Sequence, residues 1–258
     1  MKLSNFLDNF EPIKILDIGS KAYLSNSQNY HKLSHYKSIG IDFYNEEELS
    51  ISLKKSGFDN LISAVIGDGS TRELNICEFE SCSSLLKPNQ RLLSNFQHLS
   101  EWLKVKDKTL VETEKLDDIK LPFQPDFIKS DIQGSDIHAI NYGKETFSTA
   151  VAVEIEVEFI QQYENQPLFS EIELLLRKQG FIFHTFTGYG SRLLKPANDE
   201  KDPYRTLNQW MWSHAVFFKD FLNKNISEEE YFKALNGFRG VVRNTVFPTT
   251  KTECFNVK

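Results

Sequence analysis

One stretch constrains the fold more than any other: Pro125 to Phe159, PDFIKSDIQGSDIHAINYGKETFSTAVAVEIEVEF. Asp126 to Ile132 is a strand-like run that ends in a polar turn at Gln133-Gly134, and Thr149 to Phe159 is a second strand. The sequence between them has the pattern of a short amphipathic helix. Strand, helix and strand at this spacing form a βαβ unit, and its strands must run parallel. Ligands of open α/β sheets collect at the carboxyl ends of the strands, and Asp131 is expected at such an end. The second strand is unusual. A parallel strand buried on both faces reads as almost entirely apolar, yet VAVEIEVEF carries Glu154, Glu156 and Glu158 on one face. Unpaired buried charge costs several kcal/mol. That face is therefore expected to be the wet side of an edge strand, or to meet a cation or a substrate cavity.

The rest of the chain extends this alternation. Strands are expected at Ile13 to Ile18, Ser38 to Phe43, Leu61 to Ile66, Leu110 to Glu114, Phe181 to Phe186 and Trp210 to Lys219. Asn45 to Lys55 reads as a helix, and Leu168 to Lys178 as an amphipathic helix stopped by Gly180. Glu73 to Phe79 is expected to form a hairpin with the third strand. Residues 90–108 carry helical periodicity and then a charged turn. A helical lead-in is expected at 1–12. A helical tail is expected at 221–258, with Ser227 and Glu230 spaced as a capping box. About seven strands with helices between them specify a doubly wound α/β fold. With no repeat or linker in sight, one domain over 1–258 is expected, its core at about 13–220. The 21 phenylalanines must mostly be buried, which calls for a sizeable core.

Several function classes are excluded at this stage. A net charge of -6 argues against nonspecific nucleic-acid binding, which needs a basic surface. No apolar run reaches the roughly 18–20 residues of a membrane span. The first residues, MKLSNFLDNFEP, lack the apolar core of a secretory signal, so a cytoplasmic location is expected. Cys77, Cys82 and Cys254 cannot all pair and read as reduced thiols. His31 and His35 stand four residues apart with no third ligand nearby, which reads as a solvated helix face; no zinc site is expected.

The ends of the early strands suggest a ligand. Gly19 follows the acid-tipped strand that ends Asp17-Ile18, and a glycine there permits a tight turn and close ligand approach. Asp42 tips the second strand, where doubly wound folds hold a ribose; the other reading is a helix N-cap. The diphosphate fingerprint G-x-G-x-x-G is absent, since Ser20, Lys21, Ala22 and Tyr23 follow Gly19. An adenosine cofactor without a diphosphate suits such a turn better, and S-adenosylmethionine is the obvious case.

DFIKSDIQGSDIHAINYG resembles the D-F-x-K-x-D-x-Q-G-x-E motif of the FkbM-type methyltransferases. Glu156-Val157-Glu158-Phe159 and Gln166-Pro167-Leu168-Phe169 are similar to the segments that follow it in one branch. Leu16-Asp17-Ile18-Gly19 resembles the family's cofactor turn, and Ser83-Ser84-Leu85 with Pro88-Asn89 its serine loop. Leu116-Asp117-Asp118 and Gln209 to Phe218 are similar to its L-D-D/E element and its last strand. The resemblance implies a Rossmann-like class I methyltransferase. Such a fold has a seven-stranded, mostly parallel sheet with an antiparallel last strand and helices on both faces. It also implies S-adenosylmethionine-dependent O-methylation of a sugar, glycan or natural product. By that resemblance Asp17, Gly19 and Ser20 would line the methionine end of the cofactor and Asp42 would take the ribose. Gly67 and Asp68 would lie near the adenine, and Asp131 would face the methyl group and the acceptor.

The chain departs from the family pattern at Lys21 and Tyr23, at Asp136 where Glu is usual, and at His214 where the last strand has Asp. Asp131 is the first candidate for base or acceptor-orienting group, followed by Glu156 and His214, the latter because imidazole titrates near neutral pH. Lys129 is expected to neutralise nearby carboxylates. Asp131, Glu154 and Glu156 could hold a divalent cation, although no ligand spacing demands one. Arg192, Lys195 and Arg205 suggest either an anionic acceptor or solvated loop charges. Two other classes stay open: a non-catalytic binding protein on the same fold, and a nucleotide-sugar or nicotinamide enzyme on a similar one.

Overall fold

A computed structural model describes residues 12–20, 35–202, 205 and 207–220. The lead-in, Lys21, Tyr23, His31, Cys254 and the expected helical tail lie outside the described residues. In chain order the elements begin with β1 (Ile13–Ile18), β2 (Tyr36–Asp42), α1 (Glu46–Ser56), β3 (Asn60–Ser63), β4 (Val65–Ile66) and β5 (Thr71–Cys77). Next come two single-turn helices, α2 (Gln90–Leu93) and α3 (Leu99–Trp102), then β6 (Val105–Glu114) and β7 (Phe127–Ser130). The chain continues through α4 (Asp136–Asn141), α5 (Lys144–Thr149), β8 (Ala152–Glu158), α6 (Phe169–Lys178), β9 (Phe181–Phe186) and β10 (Trp212–Lys219).

The main sheet has the order β3-β2-β1-β7-β8-β10-β9. Its strands run parallel except β10, which is antiparallel to both neighbours. The expected βαβ unit is β7, α4–α5 and β8. One face of the sheet packs Leu16, Ile18, Ile128, Val153, Ile155, Val157 and Phe217 against Ala139, Ile140 and Phe147 of α4 and α5 and Ile172 and Leu176 of α6. On the other face, Ile15, Phe127, Ala152, Val216 and Phe218 pack with Phe58, just past α1.

Local chemistry sets the helix ends. Asn45 caps α1: its side chain accepts from Glu48 N at 2.8 Å, and the Glu48 carboxylate accepts from Asn45 N at 3.2 Å, a reciprocal capping box. The cap is therefore Asn45, and Asp42 is released from that reading. Asp117 does the same for α5 from a distance, accepting from Glu145 N, Thr146 N and Thr146 Oγ1 at 2.9–3.0 Å. This gives the Leu116-Asp117-Asp118 element a structural task.

Four expectations are corrected. The third strand does not run unbroken to Ile66. It leaves the main sheet after Ser63, and Val65–Ile66 pair with Thr113–Glu114 in a second sheet of order β4-β6-β5. The Glu73 region pairs with β6, not with the third strand. β6 itself starts at Val105, well before Leu110, and the helical periodicity upstream yields only α2 and α3. Lys106, Asp107 and Lys108 are exposed and hide the strand's alternation. Finally, β8 is no edge strand. It is paired on both sides, by β7 and β10.

Candidate active site

The register of the central strands assembles the site. Asp17, Lys129 and Glu154 stand side by side on β1, β7 and β8, and Glu156 stands opposite His214 of β10. Side chains alternate along a strand, so these residues share the face that also packs Phe58. Towards the amino ends of the parallel strands this face is apolar. Towards the carboxyl ends it carries Asp17, Glu154, Glu156 and Glu158, with Asp131 just past β7. All five carboxylates are buried. Among the described residues, these four strands set one lysine and one histidine beside them.

Lys129 Nζ lies 3.6 Å from Asp17 Oδ1 and 4.0 Å from Asp131 Oδ2, and its side chain is 3 % exposed. Burial by itself would lower its pKa. The fields of Asp17, Asp131, Glu154 and Glu156 outweigh that and lift it to about 12, so it is charged. The Glu154 carboxyl is pushed up by burial and partly restrained by His214, whose Nδ1 is 3.9 Å away, and by Lys129. Thr187 Oγ1 donates to Glu154 at 3.4 Å.

Glu156 is held by Gln133. The Gln133 amide nitrogen donates to Glu156 Oε2 at 2.7 Å and to Asp131 Oδ1 at 2.8 Å. Its amide oxygen lies 3.1 Å from the Tyr163 hydroxyl, which also donates to Cys82 O at 2.7 Å. The buried Tyr163 hydroxyl lies against the amide oxygen, while the amide nitrogen faces the carboxylates. Gln133 has a left-handed backbone, with φ 53°, an uncommon conformation for a residue other than glycine, and Ser84 Oγ donates to its carbonyl at 2.7 Å. Burial, then the Asp131 and Glu158 charges, push the Glu156 carboxyl well above its usual range; Glu158 is raised for the same kinds of reason. Donor atoms of Asp131, Glu156 and His214 all lie within 4.8 Å of one another. The three residues that the sequence marks for chemistry are thus brought together.

The expected cofactor residues divide. Gly19 N donates to Ile41 O and Asp131 N to Ile18 O, both at 2.9 Å, which ties the ends of β1, β2 and β7 together. A Cβ on Gly19 would sit 2.0 Å from the Asp131 carbonyl oxygen, and its φ is 87°. This glycine is demanded by chain packing, not only by a ligand. Ser20 is buried with its hydroxyl 3.2 Å from Tyr44 OH. Burial raises Tyr44 to about 12 against its hydrogen bond with Ser20, and the charges of Asp42 and Asp17 push the same way. Gly67 and Asp68 lie in the β4–β5 turn. Gly67 packs on Thr113, while Asp68 accepts from Ser70 N and Oγ and pairs with Arg72.

The basic loop residues are engaged within the protein. Arg192 lies 5.0 Å from both the Trp102 and Trp212 rings, Lys195 pairs with Glu101 at 3.4 Å, and Arg205 pairs with Asp199 at 3.0 Å. Cys77 and Cys82 are free thiols that burial pushes up to about 11 and about 12, so they remain protonated. No described helix is long and apolar enough to cross a membrane. The partners that sequence reasoning missed are Gln133, Tyr163, Thr187 and Tyr44. Gln133 was visible as a turn and motif residue but not as a partner of the carboxylates, and Tyr163, Thr187 and Tyr44 carried no sequence signal of theirs.

Among curated proteins, no sequence matches the chain. Solved structures similar to it include the magnesium protoporphyrin IX methyltransferase of Synechocystis PCC 6803, at 10 % identity over 83 % of this chain and 74 % of that one, with a TM-score of 0.41. A TehB-like SAM-dependent methyltransferase of Corynebacterium glutamicum is 12 % identical over 83 % of this chain and 84 % of that one, with a TM-score of 0.38. The 1,6-didemethyltoxoflavin-N1-methyltransferase of Burkholderia thailandensis is 10 % identical over 84 % and 74 %, with a TM-score of 0.41. The domain model described as Methyltransferase FkbM domain matches residues 25–183. That span is well over half of the chain and contains β7, the Gln133 turn, α4 and the carboxylate face of β8. The Rossmann-like sheet with its antiparallel β10 is that of a class I methyltransferase, and the chain belongs to the FkbM methyltransferase domain family.

Proposed function

We propose that this protein transfers a methyl group from S-adenosylmethionine to a hydroxyl of a sugar, glycan or natural product. The observation that carries the reading is the surplus of buried carboxylate at the carboxyl ends of β1, β7 and β8. Such a site suits a cationic sulfonium, whereas the diphosphate of a nicotinamide or sugar-nucleotide cofactor would be repelled there. Asp17, Gly19 and Ser20 would hold the methionine end, Asp42 the ribose hydroxyls, and Gly67 with Asp68 the adenine side. When bound, S-adenosylmethionine supplies an electrophilic methyl group on a positively charged sulfur.

The protein's own part is to align a hydroxyl and take its proton. Alignment of reactants contributes on the order of 7–11 kcal/mol, and a positioned base adds about 10²–10⁴-fold. Asp131 is assigned as that base or as the group that orients the hydroxyl. Gln133 fixes the Asp131 carboxylate, and Lys129 offsets its charge. Glu156, whose carboxyl is raised by burial and by the Asp131 and Glu158 charges, is the next candidate. His214 is the alternative proton acceptor.

Calorimetric titration of the purified protein with S-adenosylmethionine and S-adenosylhomocysteine tests the first half of this reading. Binding that weakens in Asp42→Ala is expected, and absence of binding by a folded sample would sink it. An acceptor screen of hydroxyl compounds tests the second half. Asp131→Asn is expected to lower turnover about 100-fold or more with an unchanged circular dichroism spectrum, and wild-type turnover in that variant would remove the assignment.

A further inference from the structure

We infer that Asp131, Glu156 and His214 form a site for a divalent metal ion. The three come from three places that only the sheet brings together: the end of β7, β8 and the antiparallel β10. Their donor atoms lie within 4.8 Å of one another, close enough for one ion to take an atom from each. Two carboxylate oxygens and an imidazole nitrogen form a mixed oxygen and nitrogen set, which suits a first-row divalent ion such as Mn²⁺. An acidic patch alone would offer no such nitrogen.

A second observation points the same way. His214 Nδ1 is buried and has no hydrogen-bond partner. Glu154 Oε1, its nearest ion-pairing neighbour, is 3.9 Å away, beyond hydrogen-bond reach. A buried ring nitrogen is ordinarily satisfied, so this histidine has unused capacity beside two carboxylates.

The surroundings are those of a metal site. Ligand carboxylates are usually oriented by hydrogen bonds from groups outside the coordination sphere. Gln133 does this here, donating to one oxygen each of Asp131 and Glu156, and the Tyr163 hydroxyl lies 3.1 Å from its amide oxygen. Lys129 stands on the Asp17 side of the cluster, where its Nζ is 4.0 Å from Asp131 Oδ2. The surplus of carboxylate over lysine that remains is what a divalent ion would balance.

Three protein ligands leave further coordination positions open. Methyl acceptors that present two neighbouring oxygens, such as a vicinal diol, would fill two of them. This acceptor class rests on the methyltransferase reading above; the ion site does not.

The test is titration of the full-length protein with MnCl₂, followed by the electron paramagnetic resonance signal of free Mn²⁺, with S-adenosylhomocysteine titrated into the same preparation by calorimetry. A single equivalent of Mn²⁺ is expected to bind. Glu156→Gln and His214→Ala are expected to bind it about 10–100-fold more weakly, and exposed Glu112→Gln to bind it as wild type does. If wild type binds no Mn²⁺ at millimolar concentration, the site is overturned. Undiminished binding in both folded variants overturns it equally. Should either variant fail to fold, the wild-type titration and the other variant still decide. Homocysteine-cofactor binding without Mn²⁺ binding removes the ion site alone, and Mn²⁺ binding without cofactor binding removes the methyltransferase reading alone.

Discussion

β8 presents two chemistries from one extended backbone. Val153, Ile155 and Val157 face α4, α5 and α6 and are buried in a continuous apolar cluster. Glu154, Glu156 and Glu158 face the other way and are buried as well. Burial is therefore not what separates the faces. The apolar face gains from removal from water, at roughly 25 cal/mol per Å². The acidic face loses by it and is kept because Gln133, Thr187 and His214 meet its carboxylates and the Lys129 charge stands beside Glu154. One face holds the fold together. The other is held by the fold, which is the usual sign of a site.

The comparison can be broken by removing what compensates the acids. Lys129→Met would leave Asp17 and Asp131 without their buried cation, and a loss of about 3–5 kcal/mol is expected in urea unfolding. A loss below about 1 kcal/mol would mean that water or protons already neutralise this face. A smaller effect is expected at Asp136, which sits on the apolar side. Burial raises its carboxyl from the ordinary 3.8 to about 6, against the hydrogen bonds from Ser130 Oγ and Ile132 N. A raised carboxyl favours the protonated fold. Its stability contribution is full below about pH 4 and is lost as the pH rises through about 6, on the order of 1–3 kcal/mol in total. Asp136→Asn should flatten that slope and be more stable than wild type at pH 7.5. An unchanged pH profile of unfolding would contradict this.

Two lesser effects sharpen the contrast. Ile155→Val, on the apolar face, should cost about 0.5–1.5 kcal/mol through a small cavity. Glu156→Gln replaces the carboxyl by a neutral amide of the same shape, where burial already disfavours the charged form. At neutral pH its stability is expected to stay within about 0.5 kcal/mol of wild type. A loss as large as that of Lys129→Met would show that Glu156 is ionised in the resting protein. Thermal or urea unfolding measures both.

Legibility in the sequence followed locality. β1 and β9 were readable to the residue, because each is a short apolar run with clear stops. α1 was readable as a helix, but its cap was not: the sequence offered Asp42, and the capping box belongs to Asn45 and Glu48. β6 was not, because exposed lysines mask its alternation and its partners, β4 and β5, bond to it from far along the chain. In the site, Asp131, Glu156 and His214 stood out as chemical residues at strand positions. Their convergence did not, since it depends on β10 entering antiparallel beside β8 and setting His214 opposite Glu156. Gly19 was legible as a glycine turn, but its reason, the Asp131 carbonyl, was hidden.

The sequence by itself determined the alternation of strands and helices, the two-faced character of β8 and the acid at the end of β7. Periodicity and turn chemistry act over a few residues, so they can be read locally. Only the tertiary structure decided that the acidic face lies inside the sheet. It alone decided that Lys129 and Gln133 hold that face, and that His214 completes a cluster with Asp131 and Glu156. Those outcomes depend on lateral strand order and register, which are set by packing between residues distant in the chain.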